Sequence, residues 1–537
     1  MRRVRELARN ARFTSSYLFR AICTDPSWLV LQAARRLPPW SSTLVVPRVE
    51  RVLGDGTRGR AGRLRAAWAS GDVTAIQESR PHGRSTRLVR EALMGEISML
   101  RAPQPPRRDV TPGSVMTGDT GTGVVAVHHH LTNSLPHTQS GYTLRTHAIL
   151  TAQRAAGLRV SATTRPGYPL TIGVPTARHT DVVDEVAYQR LVPRGLPLDR
   201  RRRETESADL LAAAALSAGA RLLHATTPWT TGQAAHDAAD RLGLPWVYEV
   251  RGLPEETWAA SHSSTADREE AARSERYALI RAKETSLALA ADHVVTLSAT
   301  MRDELVSRGV PGSRISVVPN AVDSTLLGLD TVTPGQARAR LGLADRPLIG
   351  TVTSVVGYEG LDMVLHTVAR LRAEGLDVGA LVVGDGVARP GLQRLADDLG
   401  ISPFVTMPGR VPRRTARTYL AALDVVLVPR RPDRVTRLVT PLKPVEAMAI
   451  GRPVVASDLP ALAEVCSPLD GGRPAARLVL PGDVDGWKTA VTDLLHDEAA
   501  RTALVAAGRE VASGRTWERI VSRYDAVYSA ALAPRSR

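Results

Sequence analysis

The sequence contains little lysine, little cysteine and no long apolar segment. Lysine occurs at only three positions, Lys283, Lys443 and Lys488, so arginine supplies nearly all of the positive charge. The two cysteines, Cys23 and Cys466, exclude a disulfide framework and fit a reducing compartment. Uncharged apolar runs stay well short of the ~20 residues that a membrane-spanning helix needs. We therefore expect a cytoplasmic protein with neither a transmembrane segment nor a signal peptide.

Positive charge is concentrated at the start of the chain. The formal net charge is +16 over 537 residues, and residues 1–108 contain 21 arginines against 8 acidic residues, a balance of +13. Such a module predicts an anionic partner, either the inner face of a membrane or nucleic acid, unless its arginines only form a solvated helical surface. Nucleic acid is the weaker alternative because no recognisable nucleic-acid-binding motif accompanies the charge. Apolar residues at helical spacing in 4–21 and 86–100 predict a mostly helical module.

Beyond residue 123 the pattern changes to short β-rich runs that alternate with helical stretches. This alternation predicts two doubly wound parallel sheets, with ligands at the carboxyl ends of the strands in a cleft between the two halves. The predicted strands are 124–128, 221–224, 246–250, 293–297, 315–318, 348–352, 380–383, 404–407, 424–428, 453–456 and 476–480. The predicted division is a basic helical module (1–108), a linker (109–123), a first α/β domain (124–328), an interdomain linker (329–346), a second α/β domain (347–510) and a C-terminal segment (511–537).

The most informative motif is the turn Thr-Pro-Leu-Lys-Pro-Val-Glu at 440–446. Pro444 suits the first position of a helix, and the free N–H groups of a turn through Leu442 form an anion site beside the Lys443 ammonium. The side chain of Glu446 is expected to point into the same anion site. The motif therefore predicts a phosphate-binding turn that opens a helix.

Two candidates lie in the first α/β domain. Gly141 follows the first strand and lets the backbone approach a phosphate at a helix start, although a plain βα turn explains it as well. Arg251 ends a strand and is a candidate for binding a phosphate or an acceptor hydroxyl. Its alternative is a salt bridge with Glu249, Glu255 or Glu256.

Further candidates follow strands of the second domain. Gly384, Asp385 and Gly386 form one loop able to approach a nucleotide through its backbone, and Arg410 lies in another. Arg430, next to Arg431, places a guanidinium at a third strand end. Together with an ammonium group, such guanidiniums favour a diphosphate leaving group.

Two apparent metal motifs are discounted. Successive residues of the tract His128-His129-His130 point to opposite faces of a strand, and no suitably spaced ligand follows. Asp483-Val484-Asp485 precedes a helix, so helix capping explains it better. We expect no metal site and no cofactor.

Taken in order, several motifs of the second half resemble glycosyltransferase family 4 of the GT-B fold. They are GYEGL (357–361), VVGDG (382–386), PGRV (408–411), VPR (428–430), PLKPVEAMA (441–449) and RPVVASD (452–458). The resemblance extends back through SLPHTQSGY (134–142), TRPGYP (164–169), YEVRG (248–252), AADHVVTLS (290–298) and PNAVD (319–323). It covers roughly residues 124–530 and leaves residues 1–108 outside.

The resemblance implies a retaining, metal-independent hexosyltransferase-like enzyme that uses a nucleoside-diphosphate sugar. Glu446 matches the second glutamate of the family's E-x7-E pattern, which holds the donor ribose, although it also complements a helix N-terminus. Leu438 replaces the first glutamate, and Ser354 and Glu359 replace a basic pair. Arg251 stands where many members have a catalytic histidine.

These departures suggest that Lys443, with Arg430 or Arg431, stabilises the diphosphate. The leading expectation is sugar transfer to a lipid-linked, polysaccharide or glycoconjugate acceptor, by a protein held peripherally on the inner face of the membrane through residues 1–108. The alternatives are a soluble small-molecule acceptor and a nonenzymatic sugar-nucleotide-binding scaffold.

Overall fold

The computed structural model describes residues 2–24, 60–102 and 125–533. Residues 25–59 and the linker predicted at 109–123 lie outside the described residues. The described chain divides into two compact units. The first unit comprises Met1–Thr138, Gln153–Val294 and Tyr528–Arg537, and the second comprises Gln139–Ala152 and Val295–Val527.

The described part of the N-terminal module is helical, which confirms the prediction from apolar spacing. Its helices are α1 (Arg2–Thr24), α2 (Arg60–Ser70), α3 (Val73–Glu78) and α4 (Arg84–Arg101). A small core of buried apolar side chains joins α2, α3 and α4, including Leu64, Ile76 and Ile97. Asp72 begins α3 because its carboxylate accepts a hydrogen bond from the N–H of Ala75 at 2.8 Å.

The first sheet has eight strands in the order β3-β4-β2-β1-β5-β6-β7-β8. The pairs β1 with β2, β1 with β5, β2 with β4 and β5 with β6 are parallel, whereas β3 and β4 form an antiparallel hairpin at one edge. Its elements are β1 (Ala126–Leu131), α5 (Gly141–Ala155), β2 (Arg159–Thr164), β3 (Thr180–Val183), β4 (Val186–Arg190), α6 (Arg200–Ser217), β5 (Leu222–Thr226), α7 (Trp229–Leu242), β6 (Trp246–Val250), α8 (Pro254–Ala260), α9 (Thr265–Arg273), α10 (Glu275–Ala290), β7 (His293–Thr296), α11 (Ala299–Ser307) and β8 (Ile315–Val317).

The second sheet has six strands in the order β11-β10-β9-β12-β13-β14, all parallel. Its elements are α12 (Pro334–Leu341), β9 (Leu348–Val352), α13 (Asp362–Ala373), β10 (Gly379–Val383), α14 (Arg389–Asp398), β11 (Val405–Gly409), α15 (Arg413–Ala421), β12 (Val425–Val428), α16 (Arg434–Leu438), α17 (Lys443–Ala449), β13 (Val454–Ser457), α18 (Pro460–Cys466), β14 (Arg477–Val479), α19 (Val484–His496) and α20 (Glu498–Ser513), followed by α21 (Trp517–Ile520) and α22 (Arg523–Leu532). This is the doubly wound order in which ligands bind where the winding reverses, between the first and fourth strands.

All eleven predicted strands are present, some shifted by a few residues, and β2, β3 and β4 were missed. The hairpin between β3 and β4 turns through Asp184 and Glu185, which both have positive φ (45° and 62°). Such turns ordinarily carry glycine or asparagine, so the sequence offers no turn signal there. Within the described residues, no helix is long and apolar enough to span a membrane.

Candidate functional site

The site lies where the winding of the second sheet reverses, at the carboxyl ends of β9 and β12. The two following loops touch there, since the N–H of Arg431 donates to the carbonyl of Tyr358 at 3.0 Å. Gly360 has φ of +64°, and a Cβ at this position would lie 2.0 Å from the carbonyl oxygen of Pro429. Only glycine fits, so this contact fixes the position of the adjacent Glu359.

Glu359 brings two basic residues together in what we call the Glu359 cluster, comprising Glu359, Arg430 and Lys443. Arg430 Nη2 donates to Glu359 Oε1 at 2.9 Å, while its Nη1 donates to the carbonyl of Val439 at 2.9 Å. Lys443 Nζ forms an ion pair with Glu359 and donates to Thr353 Oγ1 at 2.7 Å. Two cations and one carboxylate leave this cluster with an excess positive charge.

Electrostatics keep the Glu359 carboxyl ionised. Burial acts to raise the pKa of Glu359, but Arg430 and Lys443 outweigh that effect and lower the pKa to about 2. Burial also lowers the pKa of Lys443 to about 8, although Glu359 opposes this change. The side chain of Lys443 is 15% exposed, compared with 7% for Glu359. Lys443 is therefore the more accessible of these two ends of the cluster.

Arg431, the other basic candidate in this loop, is directed elsewhere. It pairs with Asp362, with Nη2 to Oδ2 at 3.0 Å, and its side chain is 45% exposed. Of the two arginines that the sequence offered as partners for Lys443, the structure brings only Arg430 into the cluster.

Glu446 lies on the first turn of α17, and Leu442 is the N-cap residue of this helix. The N–H of Glu446 donates to the carbonyl of Leu442 at 3.2 Å. Pro444 occupies the second helical position rather than the first, because Lys443 is already helical. The half-buried Glu446 carboxylate has no hydrogen bond or ion pair with any residue that the structure describes. Burial raises the pKa of Glu446, against the lowering effect of Arg413, Arg417 and Lys443.

The loop of Gly384, Asp385 and Gly386 packs against the segment that leads into the cluster. A Cβ at position 384 would lie 1.7 Å from the carbonyl oxygen of Thr353. This contact accounts for the glycine without a ligand, and its role in donor binding stays a prediction. Asp385 is exposed and accepts from the N–H of Gly386 at 2.9 Å, and Arg410 is also exposed.

Gly141 is the first residue of α5 and belongs to the second unit, and its role in donor binding stays a prediction. Tyr142, which follows it, is near enough to Tyr358 to contribute to the raised pKa of that phenol, after the larger effects of burial and Glu359. Further along α5, Arg145 Nη1 donates to the carbonyl of Pro319 at 2.9 Å. The start of α5 therefore lies close to the Tyr358 turn.

The segment at 318–320 also holds the turn before Lys443. Arg145 donates to Asn320 Oδ1 at 3.2 Å, and Asn320 Nδ2 donates to the carbonyl of Thr440 at 3.0 Å. These bonds connect α5 to the start of the turn that contains Leu442. The role of this segment is to hold the site in place.

Arg251 lies in the first unit within what we call the Glu249 cluster, comprising His224, Glu249 and Arg251. Arg251 Nη2 donates to Glu249 Oε2 at 2.7 Å, and His224 Nε2 lies 3.1 Å from the same oxygen. Tyr528 continues the network, with its hydroxyl 2.9 Å from His224 Nδ1. The salt bridge with Glu249 that the sequence offered as the alternative for Arg251 is present, and the side chain is only 2% exposed.

The histidine tract is buried in β1 and takes part in protein hydrogen bonds. His128 Nε2 lies 3.0 Å from Thr163 Oγ1, and His129 Nε2 lies 2.9 Å from Gln153 Oε1. Burial lowers the pKa of His128 to about 4 and that of His130 to about 3, the latter with a contribution from His128. The described ranges contain no cluster of three potential metal ligands. Asp483 caps α19 as predicted, accepting from the N–H of Gly486 at 2.9 Å.

The role of Glu359 as the carboxylate that pairs with both cations was not predicted from the sequence. The signal that indicates it is the strand order, because the loops after the first and fourth strands of a doubly wound sheet are neighbours. Once β9 and β12 are assigned these places, a glutamate after one and an arginine after the other are expected to meet.

Two family models match the chain. The model for group 1 glycosyl transferases matches residues 346–497, and the glycosyl transferase 4-like domain matches residues 140–321. Their ranges contain the six strands of the second sheet and seven of the eight strands of the first. Helix α1 lies outside both.

Two curated relatives come from Mycolicibacterium smegmatis. A GDP-mannose-dependent alpha-(1-6)-phosphatidylinositol monomannoside mannosyltransferase is 33% identical over 41% of this chain and 57% of its own length. A D-inositol 3-phosphate glycosyltransferase is 31% identical over 57% of this chain and 66% of its own length. The matches thus span less than two thirds of either relative.

Solved structures share the fold at low identity. Sucrose-phosphate synthase from Thermosynechococcus elongatus aligns with a TM-score of 0.58 and 21% identity over 75% of this chain and 98% of its own. Anabaena HepE in complex with UDP-glucose aligns with a TM-score of 0.54 and 17% identity over 75% of this chain and 98% of its own. Both consist of the same two-domain architecture, which is the GT-B fold.

Proposed function

Because the chain belongs to the family 4, group 1 glycosyltransferases of the GT-B fold, we propose that it transfers a sugar from a nucleoside-diphosphate sugar with retention of the anomeric configuration. The observation that carries this proposal is the position of the Glu359 cluster. Its excess positive charge lies where a doubly wound sheet binds ligands, and the nearby Glu446 carboxylate has no hydrogen bond or ion pair among the described residues. A diphosphate is bound by positively charged groups, and the hydroxyls of a ribose are bound by a hydrogen-bond acceptor such as a carboxylate.

In this proposal, Lys443 and Arg430 stabilise the charge that develops on the departing diphosphate, and Glu446 accepts hydrogen bonds from the ribose hydroxyls. The bond from the anomeric carbon to the phosphate oxygen breaks as the bond to the acceptor oxygen forms on the same face. The acceptor's proton moves to the departing phosphate. No step requires a metal, since two preorganised cations meet the leaving group.

The proposed acceptor is lipid-linked, a polysaccharide or another glycoconjugate. The phosphatidylinositol mannoside named for one relative supports the lipid-linked class. A soluble acceptor is the alternative within enzymes, and activity in the absence of any lipid acceptor is the result that favours it.

A nonenzymatic scaffold that binds the donor is a second candidate function. It is favoured by the replacement of the family's basic pair by Ser354 and Glu359, and by the burial of Arg251 against Glu249. The scaffold binds a nucleotide sugar but releases no nucleotide from it.

A donor screen tests the proposal. Nucleoside-diphosphate sugars, including GDP-mannose and UDP-glucose, are tested for thermal stabilisation with EDTA present, and each hit is followed by nucleotide release. We expect one donor to stabilise the protein and to be consumed, with both effects weakened in Glu446→Ala. The matched control is Glu510→Ala, which removes an exposed glutamate on α20. Stabilisation without nucleotide release would support the scaffold, and no stabilisation by any donor would overturn both.

A further inference from the structure

Helix α1 is attached to the first unit by one specific face. Phe13 is fully buried in a cluster with Leu170 and Ala177. A Cβ on Gly167 would lie 2.3 Å from the Phe13 ring, so the ring fits directly against the backbone there. Asn10 Nδ2 adds a hydrogen bond to the carbonyl of Ala177 at 2.8 Å. These contacts fix the rotation of α1 and determine which side faces outward.

The outward side of α1 is mostly apolar, with Ser15 as an exposed polar residue on it. Val4, Phe19 and Ile22 are 70%, 59% and 57% exposed, and Leu18 and Leu7 are 40% and 39% exposed. Their spacing places them on one side of the helix, opposite Phe13. The exposed Ala8 and Ala11 lie between them and continue the stripe. A helix of this size is about 35 Å long, and an exposed apolar stripe of such length marks an interaction surface.

Two arginines border this stripe. Arg5 and Arg12, seven residues apart, are exposed on one flank, and neither has a hydrogen bond or ion pair with any residue in the described ranges. Arg3 and Arg9 differ, since Arg3 Nη2 donates to the carbonyl of Thr176 at 2.6 Å and Arg9 Nη2 lies 3.4 Å from His179 Nδ1. One pair of arginines therefore holds α1 to the first unit, while the other faces solvent beside the apolar stripe.

From this division we infer that the outer face of α1 lies in the headgroup region of an anionic bilayer. The apolar side chains of Val4, Leu18, Phe19 and Ile22 enter the upper acyl region. Arg5 and Arg12 contact the lipid phosphates. A basic amphipathic helix binds in the plane of a membrane in this way. Nucleic acid fits the arginines but offers nothing to the exposed aliphatic and aromatic side chains. The inference concerns a surface outside both matched domains and does not depend on the donor site.

Vesicle flotation of the full chain tests this surface. The vesicles contain phosphatidylcholine with or without phosphatidylglycerol, at physiological salt. We expect binding only with phosphatidylglycerol. The double variant Arg5→Gln, Arg12→Gln should weaken binding roughly 30-fold. Phe19→Ser with Ile22→Ser should weaken it at least about 10-fold.

A matched control separates this surface from general charge. Arg63→Gln with Arg87→Gln removes the same charge from exposed positions on α2 and α4, and it should leave vesicle binding near wild type. An equal loss in this control, or no binding of the wild type to anionic vesicles, would overturn the proposal. A change of oligomeric state without lipid in the Phe19→Ser, Ile22→Ser variant would also overturn it, because the stripe would then be an interface between copies. Unchanged thermal unfolding shows that each variant is folded.

Discussion

Each unit of this protein contains a carboxylate-centred cluster on or just after neighbouring strands, and the two clusters differ in charge balance and exposure. In the Glu249 cluster, one carboxylate meets Arg251 and His224, and the three side chains are at most 2% exposed. In the Glu359 cluster, one carboxylate meets two cations, and the Lys443 side chain is 15% exposed. The first cluster has a balanced ion pair and little access, whereas the second retains positive charge and an accessible end.

The difference shows that a polar residue at a strand end is not by itself a sign of chemistry. A sealed ion pair in which each charge has its partner is sensitive to the loss of one member, because the other is then buried without compensation. A partly exposed cluster with excess positive charge is still able to bind an anionic ligand. Loss of stability and loss of turnover therefore distinguish the two clusters.

The largest expected effect is on folding. Arg251→Met removes the guanidinium from buried Glu249 and should lower the free energy of unfolding by ~3–5 kcal/mol. Chemical denaturation followed by tryptophan fluorescence measures it, since the buried Trp246 lies on the strand that carries Glu249. The double variant Arg251→Met, Glu249→Gln should recover part of the loss. A stable Arg251→Met protein without turnover would contradict a structural role and favour the catalytic one predicted from sequence.

The next effect is on turnover. Lys443→Met removes a preorganised cation from the proposed leaving-group site and should reduce turnover roughly 100- to 1,000-fold, since one such donor contributes ~2.7–4 kcal/mol. The matched control is Lys488→Met, whose ammonium pairs with Glu374 at 2.7 Å on the surface. Nucleotide release from the donor is the measurement. Full turnover in Lys443→Met would reject this role for Lys443.

The two clusters also show which features of the fold and of the site were predictable from the sequence. The alternation of strands and helices predicted both sheets, and the Lys443 turn predicted the start of a helix to within one residue. The carboxyl ends of parallel strands then located the candidate residues, because this edge of a doubly wound sheet is fixed by topology. These inferences needed only local pattern and order along the chain.

Contacts between segments that are distant along the chain were not predictable from the sequence. Glu359 and Lys443 are 84 positions apart, and their pairing depends on the loops after β9 and β12 meeting at Gly360. Whether Arg251 is sealed against Glu249 depends likewise on His224 and on the distant Tyr528. The hairpin of β3 and β4 was missed because its turn has acidic residues where glycine or asparagine is usual.

A smaller effect concerns pH. Burial holds the pKa of Lys443 at about 8, below the usual lysine value of 10.5. Lys443 is thus charged below about pH 8, and the proposed donor site loses this cation as the pH rises through that value. The KM for the donor should therefore increase by up to tenfold per pH unit above about pH 8. The free energy of unfolding should instead rise with pH between these two pKa values, because the unfolded chain binds more protons there.

Lys443→Arg separates the lysine's titration from other causes. Arginine stays charged throughout this range, so the variant should keep a flat KM for the donor across about pH 8. Measurements of KM at several pH values in both proteins provide the comparison. The same rise in KM in Lys443→Arg would assign the pH dependence to another group.

The smallest expected effect is on stability at Glu446, where a structural role and a donor-binding role predict the most different results. Burial raises the pKa of Glu446, and no described residue bonds to its carboxylate, so folding gains little from its charge. Glu446→Gln should leave the free energy of unfolding unchanged or raise it by up to ~1 kcal/mol. The same change should weaken donor binding about tenfold, because an amide is a poorer acceptor for the ribose hydroxyls than a carboxylate. Parallel denaturation and donor titration of Glu446→Gln and Glu510→Gln test this, and destabilisation by Glu446→Gln with intact donor binding would place Glu446 with Glu249 as a structural residue.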